Sequence, residues 1–309
     1  MTSPGAASAI VVDGGFYGPG SEAWRLNREA MLLLGAGPRA LLMQIAHPLV
    51  AAGVAEHSQF REDPWARLSG TLRSYLRIVY GSAPAARDEI RRLHELHRGI
   101  RGAVTAPDAR ERHGSRYSAL NPELSLWVHA TLVDSTLAAY DAWIEPLSHD
   151  ERARYYEETL PVGRAFGIPA SLLPADIDAF DDYVAGMLAP DGPVCVGEDA
   201  RELAEAILHP PLGPAAIAAG PLLARAAPLL DAIPARAYGW LFWPSIGLLP
   251  ASIRGGYGLT WGFRQRAVAA WLVAAWQAWR PMLPPTFRQM PQALRADRRV
   301  GAGTPLLQA

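Results

Sequence analysis

The chain has 309 residues, of which 50% are apolar and 19% are charged, and its formal net charge is −1. This balance excludes an intrinsically disordered chain, which would be polar and rich in charge. It also argues against a nucleic-acid-binding protein, which normally carries a basic excess. No lysine is present, so the 29 residues counted as Lys or Arg are all arginine. Schiff-base chemistry on lysine and a P-loop lysine are therefore excluded.

Helical signals follow one another along the chain. Three N-cap signatures are present: Asp63-Pro64, Asn121-Pro122, and a capping box formed by Ser148 and Glu151. Apolar, Ala- and Leu-rich segments follow these caps and recur elsewhere. The predicted helices are 39–53 (with Pro38 in the first turn), 64–80, 85–101, 122–143, 149–166, 174–188, 198–208, 215–232 and 261–279.

Patterns typical of β-strands are nearly absent. Only Val194–Val196 and Ile10–Val12 are candidates for short strands, and no long polar linker divides the chain. We predict an all-α fold of about eight to ten helices in a single domain over residues 21–293. Residues 1–20 are expected to form a flexible N-terminal segment, and residues 294–309 a C-terminal tail.

Targeting and membrane-spanning patterns are not apparent in the sequence. The first 21 residues contain no arginine and no apolar run as long as a signal-peptide core. The apolar stretch Gly239–Pro250 has 12 residues, whereas a spanning helix needs about 20. We expect a cytoplasmic protein, with peripheral membrane contact through this stretch as an open alternative. The single cysteine, Cys195, cannot form an internal disulfide, which fits a reducing compartment.

Several familiar catalytic motifs are incomplete. The run His94-Glu95-Leu96-His97 begins like a zinc-protease motif. That motif requires a second histidine four residues after the first, and the residue at that position is Arg98. No G-x-S-x-G nucleophile elbow or paired E-x-x-H motif is present. Gly35-Ala36-Gly37 precedes a predicted helix without a preceding strand, so it is a weak dinucleotide-binding signal.

Histidines and arginines in the first half of the chain are the remaining candidates. His97 and Arg101 are four residues apart, as are Arg67 and Thr71, and residues four apart share a helix face. Histidine is the commonest proximal ligand of haem iron, and an arginine one turn away can pair with a propionate. His94, three residues before His97, is the other candidate ligand.

Ordinary structural roles for these residues stay open. His97 and Arg101 could belong to a solvated helix face, and His129, after three apolar residues, could be a hydrogen-bonded core histidine. His47 could bond the carbonyl freed by Pro48 in a kinked helix. His57 could be a loop residue facing solvent.

Four sequence blocks resemble a known family, in the family's order. They are Leu32–Gly81, which contains LLMQIAHPLVAAGVAEHSQF and WARLSGTLRSYLRIVYG, Leu96–Gly102 (LHRGIRG), Tyr117–Ser135 (YSALNPELSLWVHATLVDS) and Leu283–Ala293 (LPPTFRQMPQA). Together they are similar to the catalytic-domain family of the ER-bound oxygenase MpaB and the rubber oxygenases. The resemblance extends from about Glu22 to Ala293.

The resemblance implies a globin-like helical fold that holds haem b through a histidine and uses O₂ to cleave an isoprenoid chain. It implies that His97 is the axial ligand of the iron and that Arg101 steadies a propionate or the ligand helix. It further implies that Arg67 and Thr71 lie near the distal side and that His129 lies close to the haem. His47 and His57 belong to the first block, but the resemblance assigns them no role.

One position departs from the rubber oxygenases. The lysine that precedes the threonine in those enzymes is Gly70 here, so their distal arrangement is not expected. Rubber itself is not expected as the substrate, because an enzyme in the cytoplasm does not meet a rubber particle. The leading hypothesis is a haem b-dependent oxygenase that acts with O₂ on an apolar, isoprenoid-type small molecule. The alternative is a non-catalytic helical protein that binds haem or lipid. A third reading is a member that has lost haem, in which the histidines are structural.

Overall fold

The computed structural model describes residues 15–57, 63–106, 114, 116–214, 224–234 and 237–301. The described helices are α1 (Glu22–Asn27), α2 (Ala30–Ile45), α3 (Pro48–His57), α4 (Pro64–Tyr80), α5 (Ala83–Arg98), α6 (Pro122–Trp143), α7 (His149–Ala165), α8 (Ile177–Met187), α9 (Glu198–Leu208), α10 (Ala227–Asp231), α11 (Trp243–Gly247), α12 (Ala251–Gly256), α13 (Phe263–Trp279), α14 (Pro285–Arg288) and α15 (Pro291–Arg299), with 3₁₀ turns at Gly239–Phe242 and Arg280–Met282. The all-α class is confirmed, but the helices outnumber the eight to ten expected, because proline-rich segments divide into short helices.

The three N-cap signatures start helices where the sequence predicts. The Asp63 carboxylate accepts a hydrogen bond from the Ala66 N–H at 2.9 Å, and the Asn121 side chain accepts one from the Glu123 N–H at 2.8 Å. Ser148 forms the predicted capping box at the start of α7. These side chains satisfy backbone donors that have no partner inside the helix.

The predicted helix 39–53 is wrong. Pro38 lies inside α2 rather than in a first turn, and the helix ends at Ile45. A proline disfavours the α conformation in the residue before it, so the chain breaks ahead of Pro48, which opens α3. Buried His47 stands at this break, where its Nδ1 accepts a hydrogen bond from the Leu49 N–H at 3.3 Å.

A small antiparallel sheet is present that the sequence did not predict. Strands β1 (Arg101–Ala103) and β2 (Arg116–Ser118) pair with Gly102 opposite Tyr117. Val194–Val196 is not a strand, and Ile10–Val12 lies outside the described residues. Of the predicted helix 215–232, residues 215–223 also lie outside them, and the described part contains only the short α10.

Helices α2 and α6 pack along each other at the centre of the fold. The buried Arg39 side chain on α2 donates hydrogen bonds from NH1 to Asp134 (2.6 Å) and Ser135 (2.7 Å) on α6, and from Nε to the Leu248 carbonyl (2.8 Å). A buried guanidinium is stable only when its donors are satisfied. Arg39 therefore fixes how the two helices meet.

The end of the chain packs against its beginning. The indole of Trp24 donates a hydrogen bond to Asp297 on α15 at 2.9 Å, and Arg28 pairs with the same buried carboxylate. The tail expected from residue 294 onward thus begins inside a packed helix, which extends to Arg299. Tyr17, in the segment expected to be flexible, is also buried.

No helix among the described residues combines the length and the apolar character needed to cross a bilayer.

Gly35 provides the closest approach between α2 and α6. A Cβ atom built on Gly35 would lie 2.2 Å from ring atoms of Trp143, whereas one built on Gly37 has no neighbour within 4 Å. We predict that Gly35→Ala destabilises the protein by about 1–3 kcal/mol through overpacking. Gly37→Ala, in the same helix, should be neutral or stabilising by up to about 1 kcal/mol.

Urea unfolding of the two variants measures this difference. Equal effects of the two substitutions would contradict the proposed contact between α2 and the Trp143 ring.

Candidate active site

Helices α4 and α5 form an antiparallel hairpin across Gly81 and Ser82, and a buried carboxylate fixes their register. Glu89 on α5 accepts a hydrogen bond from the Ser74 hydroxyl on α4 at 2.6 Å, and Arg92 donates to both side chains. Arg77, nearer the turn, lies 3.6 Å from Glu89. The hydrogen bonds from Arg92 are the main reason that the pKa of Glu89 is lowered.

On this hairpin Arg67 lies close enough to His97 for its positive charge to act on the imidazole. Arg67 NH1 donates a hydrogen bond to the Thr71 hydroxyl at 2.9 Å, which confirms that the two share a face of α4. The pKa of His97 is lowered, first by burial and then by the positive charge of Arg67, with smaller effects of His94 and Arg92. The imidazole is therefore neutral near pH 7, which is the form that ligates a metal.

The prediction that Arg101 shares a helix face with His97 is wrong. Helix α5 ends at Arg98, with Gly99 as its C-cap, and Arg101 opens strand β1, where it is exposed. The rule that residues four apart lie together applies only while the helix continues. Arg101 lies close to the end of α5, but its backbone belongs to the strand.

His129 lies on another part of the fold. It is buried on α6, and a Cβ atom built on Gly163 of α7 would lie 3.4 Å from its Nε2. That nitrogen has no hydrogen-bond partner among the described residues. Burial lowers the pKa of His129 to about 4, so the ring is neutral. No described contact brings it to Arg67, Thr71 or His97.

The end of α3 and the small sheet form a polar cluster that the sequence did not reveal. The Tyr117 hydroxyl donates a hydrogen bond to Glu56, and both atoms press against Gly102, where a Cβ would lie 2.5 Å from the hydroxyl. His57 is exposed, and its ring centroid lies 6.0 Å from that of Tyr117. Glu56 and Tyr117 are 61 residues apart in the chain, so no local pattern links them.

Two open depressions on the surface of the described chain lie elsewhere. One, of about 480 Å³, is lined by Phe16, Ile90 and Ala165 among others, and a second of similar size lies beside Pro122 and Leu172. Residues 58–62, just before α4, and 107–113, between the strands, are outside the described chain. Within it, no cluster of three or more His, Cys, Asp or Glu side chains could hold a metal ion. A haem iron, by contrast, needs only one such ligand from the protein.

The influence of Arg67 on His97 can be measured directly. We predict that Arg67→Gln raises the pKa of His97 towards its ordinary value, because the substitution removes the positive charge that lowers this pKa most while leaving the ring half-buried. Arg73→Gln, at an exposed position on the same helix, should leave that pKa unchanged.

Titration of the His97 ring by NMR in the apoprotein gives both values. An unchanged pKa in Arg67→Gln would show that the two side chains are not neighbours.

His129 should make the protein sensitive to acid. Its pKa is lower in the folded state than in the unfolded state, so folding stability is complete above pH 6.5 and falls as the pH decreases towards about 4. The loss attributable to His129 between about pH 7.5 and about pH 5 should be about 2 kcal/mol. His129→Leu should remove this part of the pH dependence.

Urea unfolding at the two pH values checks this, with His149→Gln as the control, because His149 is exposed. The same pH dependence in wild type and His129→Leu would contradict the buried, neutral state of His129.

Comparison with known proteins places the chain in a family. Residues 24–279 match the family model described as "ER-bound oxygenase mpaB/B'/Rubber oxygenase, catalytic domain". The uncharacterized protein Mb2261 of Mycobacterium bovis and the uncharacterized protein Rv2237 of Mycobacterium tuberculosis are each 27% identical over 148 residues, which are 46% of this chain and 55% of each relative. The chain thus spans about half the length of the curated relatives it matches. No solved structure matches it significantly. Because the family model covers most of the chain, the protein belongs to the MpaB/rubber oxygenase catalytic-domain family.

Proposed function

We propose that this protein is a haem b-dependent oxygenase that acts with O₂ on an apolar, isoprenoid-type small molecule. The observation that carries the proposal is the position of the Arg67–Thr71 pair beside a half-buried, neutral His97, in a chain that belongs to an oxygenase family.

The residues present fit haem on the ligand side. His97 is the candidate axial ligand, since burial and the nearby positive charges keep its imidazole unprotonated and able to donate a lone pair. His94, one turn earlier and also half-buried, is the fallback ligand. Arg101 is exposed just beyond the helix end and is the candidate partner of a propionate. His129, whose described contacts lie elsewhere, is at most an indirect contributor.

Arg67 and Thr71 are the candidate catalytic residues. The Arg67 guanidinium is partly removed from water, and burial lowers its pKa without removing its charge. Thr71 accepts one of its N–H groups and so orients the guanidinium plane. N–H donors fixed in this way can stabilise the negative charge that develops on O₂ as it reacts, without reorganisation of solvent.

Apolar residues adjoin these polar residues along the two helices. Leu68 and Leu72 follow Arg67 and Thr71 on α4, Leu93 lies one turn before His97 on α5, and all three are partly buried against the core. Apolar surroundings of this kind favour an apolar substrate and limit the access of water. When bound, haem supplies the activation of O₂; the protein supplies ligation, hydrogen bonds and substrate orientation.

Removal of the candidate ligand tests the proposal. Wild-type protein expressed with a supply of haem should show a Soret band, and a pyridine haemochrome assay should give close to one haem b per chain. His97→Ala should retain less than about a tenth of that haem, because the axial bond is lost. His149→Ala, at an exposed position on α7, is the matched control and should retain all of it.

Three other results of these haem-binding and O₂-consumption measurements would contradict part or all of the proposal. Haem retained in His97→Ala but lost in His94→Ala would contradict the assignment of His97. Haem retained in wild type without O₂ consumption on any isoprenoid would contradict the oxygenase and favour the binding protein, a reading to which Gly70 in place of the lysine already lends weight. A folded wild type that takes up no haem would overturn both.

A further inference from the structure

Helix α13 presents an apolar face away from the protein. The other side of the helix contacts α11 and α6, and Ala269 is the only residue of α13 that is fully buried. At about 100° per residue, one arc of about 100° contains six side chains. All six are exposed: Phe263, Ala267, Ala270, Trp271, Ala274 and Ala278. These residues are called the α13 face below.

Large exposed side chains are concentrated in and just after this helix. Phe263 is 80% exposed and Trp271 is 64% exposed. Trp279, Met282 and Phe287, at the helix end and in the segment that follows it, are 63%, 75% and 72% exposed. Single exposed apolar residues are ordinary on protein surfaces, but several large ones in one helix and the segment after it are typical of an interaction surface.

The charged residues of α13 are both arginines. Arg264 and Arg266 are exposed and border the apolar arc on its two sides. No carboxylate of the described chain forms an ion pair with either of them. In the sequence, the 65 residues from 232 to 296 contain seven arginines and no Asp or Glu, although the whole chain has a net charge of −1. The same segment holds six of the ten tryptophans.

This combination identifies the occupant by its chemistry. A second copy of the chain would bring the same positive face against itself, so the charges would repel. A surface of anionic phospholipid offers apolar chains to Phe263 and Trp271 and phosphates to the arginines that flank them. Tryptophan and arginine are favoured at the boundary between lipid and water, because each has an apolar body and a polar end. The helix is about 25 Å long, enough to lie along such a surface.

We propose that the α13 face, bordered by Arg264 and Arg266, docks the protein on an anionic phospholipid surface. The helix lies in the plane of the interface and does not cross the membrane. The docking depends on residues outside the Arg67–Thr71–His97 site, so its test does not depend on whether the protein binds haem.

Flotation of the full-length protein with vesicles tests the docking. The probes are vesicles of phosphatidylcholine alone and of phosphatidylcholine mixed with phosphatidylglycerol. We expect binding to the anionic vesicles that weakens as salt is added, and at least about tenfold weaker binding to the neutral ones. Phe263→Ser with Trp271→Ser should reduce partitioning at least about tenfold. Arg264→Gln with Arg266→Gln should reduce binding to the anionic vesicles by about 10- to 30-fold.

Matched controls separate docking from general surface effects. Leu172→Ser, an exposed leucine after α7, and Arg87→Gln with Arg91→Gln, two exposed arginines on α5, should bind vesicles like wild type. The thermal unfolding midpoint of Phe263→Ser with Trp271→Ser should stay that of wild type, because both side chains are exposed.

Four results would overturn the proposal. They are no binding to anionic vesicles, equal binding by wild type and the face variants, a concentration-dependent dimer that the face variants abolish, and a lowered unfolding midpoint of the face variants. The third would assign the face to a second copy, and the fourth would assign it to a segment of the chain itself.

Discussion

The buried carboxylate of Glu89 sets the register between α4 and α5, on which the candidate site depends. The Ser74 hydroxyl on α4 donates to it, and Arg92 on α5 donates to the same hydroxyl, so the two helices are fixed along their length as well as side by side. A shift of one turn would move Arg67 by about 5 Å along the hairpin and separate it from His97. A buried carboxylate that is hydrogen-bonded in this way favours one arrangement of the two helices, whether or not it adds much net stability. The site is therefore a consequence of helix pairing.

The central helices α2 and α6 provide the frame against which the other elements pack. Arg39 joins them through Asp134 and Ser135, the Trp127 indole donates to the Met43 carbonyl at 3.2 Å, and Gly35 admits the Trp143 ring. These contacts combine a satisfied polar network with close packing, which together specify one helix arrangement. His129 faces Gly163 of α7 from this frame, and its burial there keeps the ring neutral.

The sequence predicted best what local chemistry controls. Asp63, Asn121 and Ser148 predict helix starts, because an N-cap side chain accepts a hydrogen bond from a backbone N–H only two or three residues later. The Arg67–Thr71 pair was also predictable, since both lie inside one helix. Arg101 was misplaced because Gly99 ends the helix and strand pairing with a distant segment then takes over. Pro38 was misplaced because tertiary packing can carry a helix through a proline, and the Glu56–Tyr117 contact joins residues that are neighbours only in the folded chain.

The central claim is that a hairpin register creates a neutral, ligating imidazole beside an arginine–threonine pair for use with haem. Titration of the folded wild-type protein with haem b, followed at the Soret band, tests it most directly. The account predicts saturation at one haem per chain, with a spectrum of histidine-ligated iron. A featureless titration, in which added haem keeps the spectrum of free haem while the protein stays folded, would contradict it.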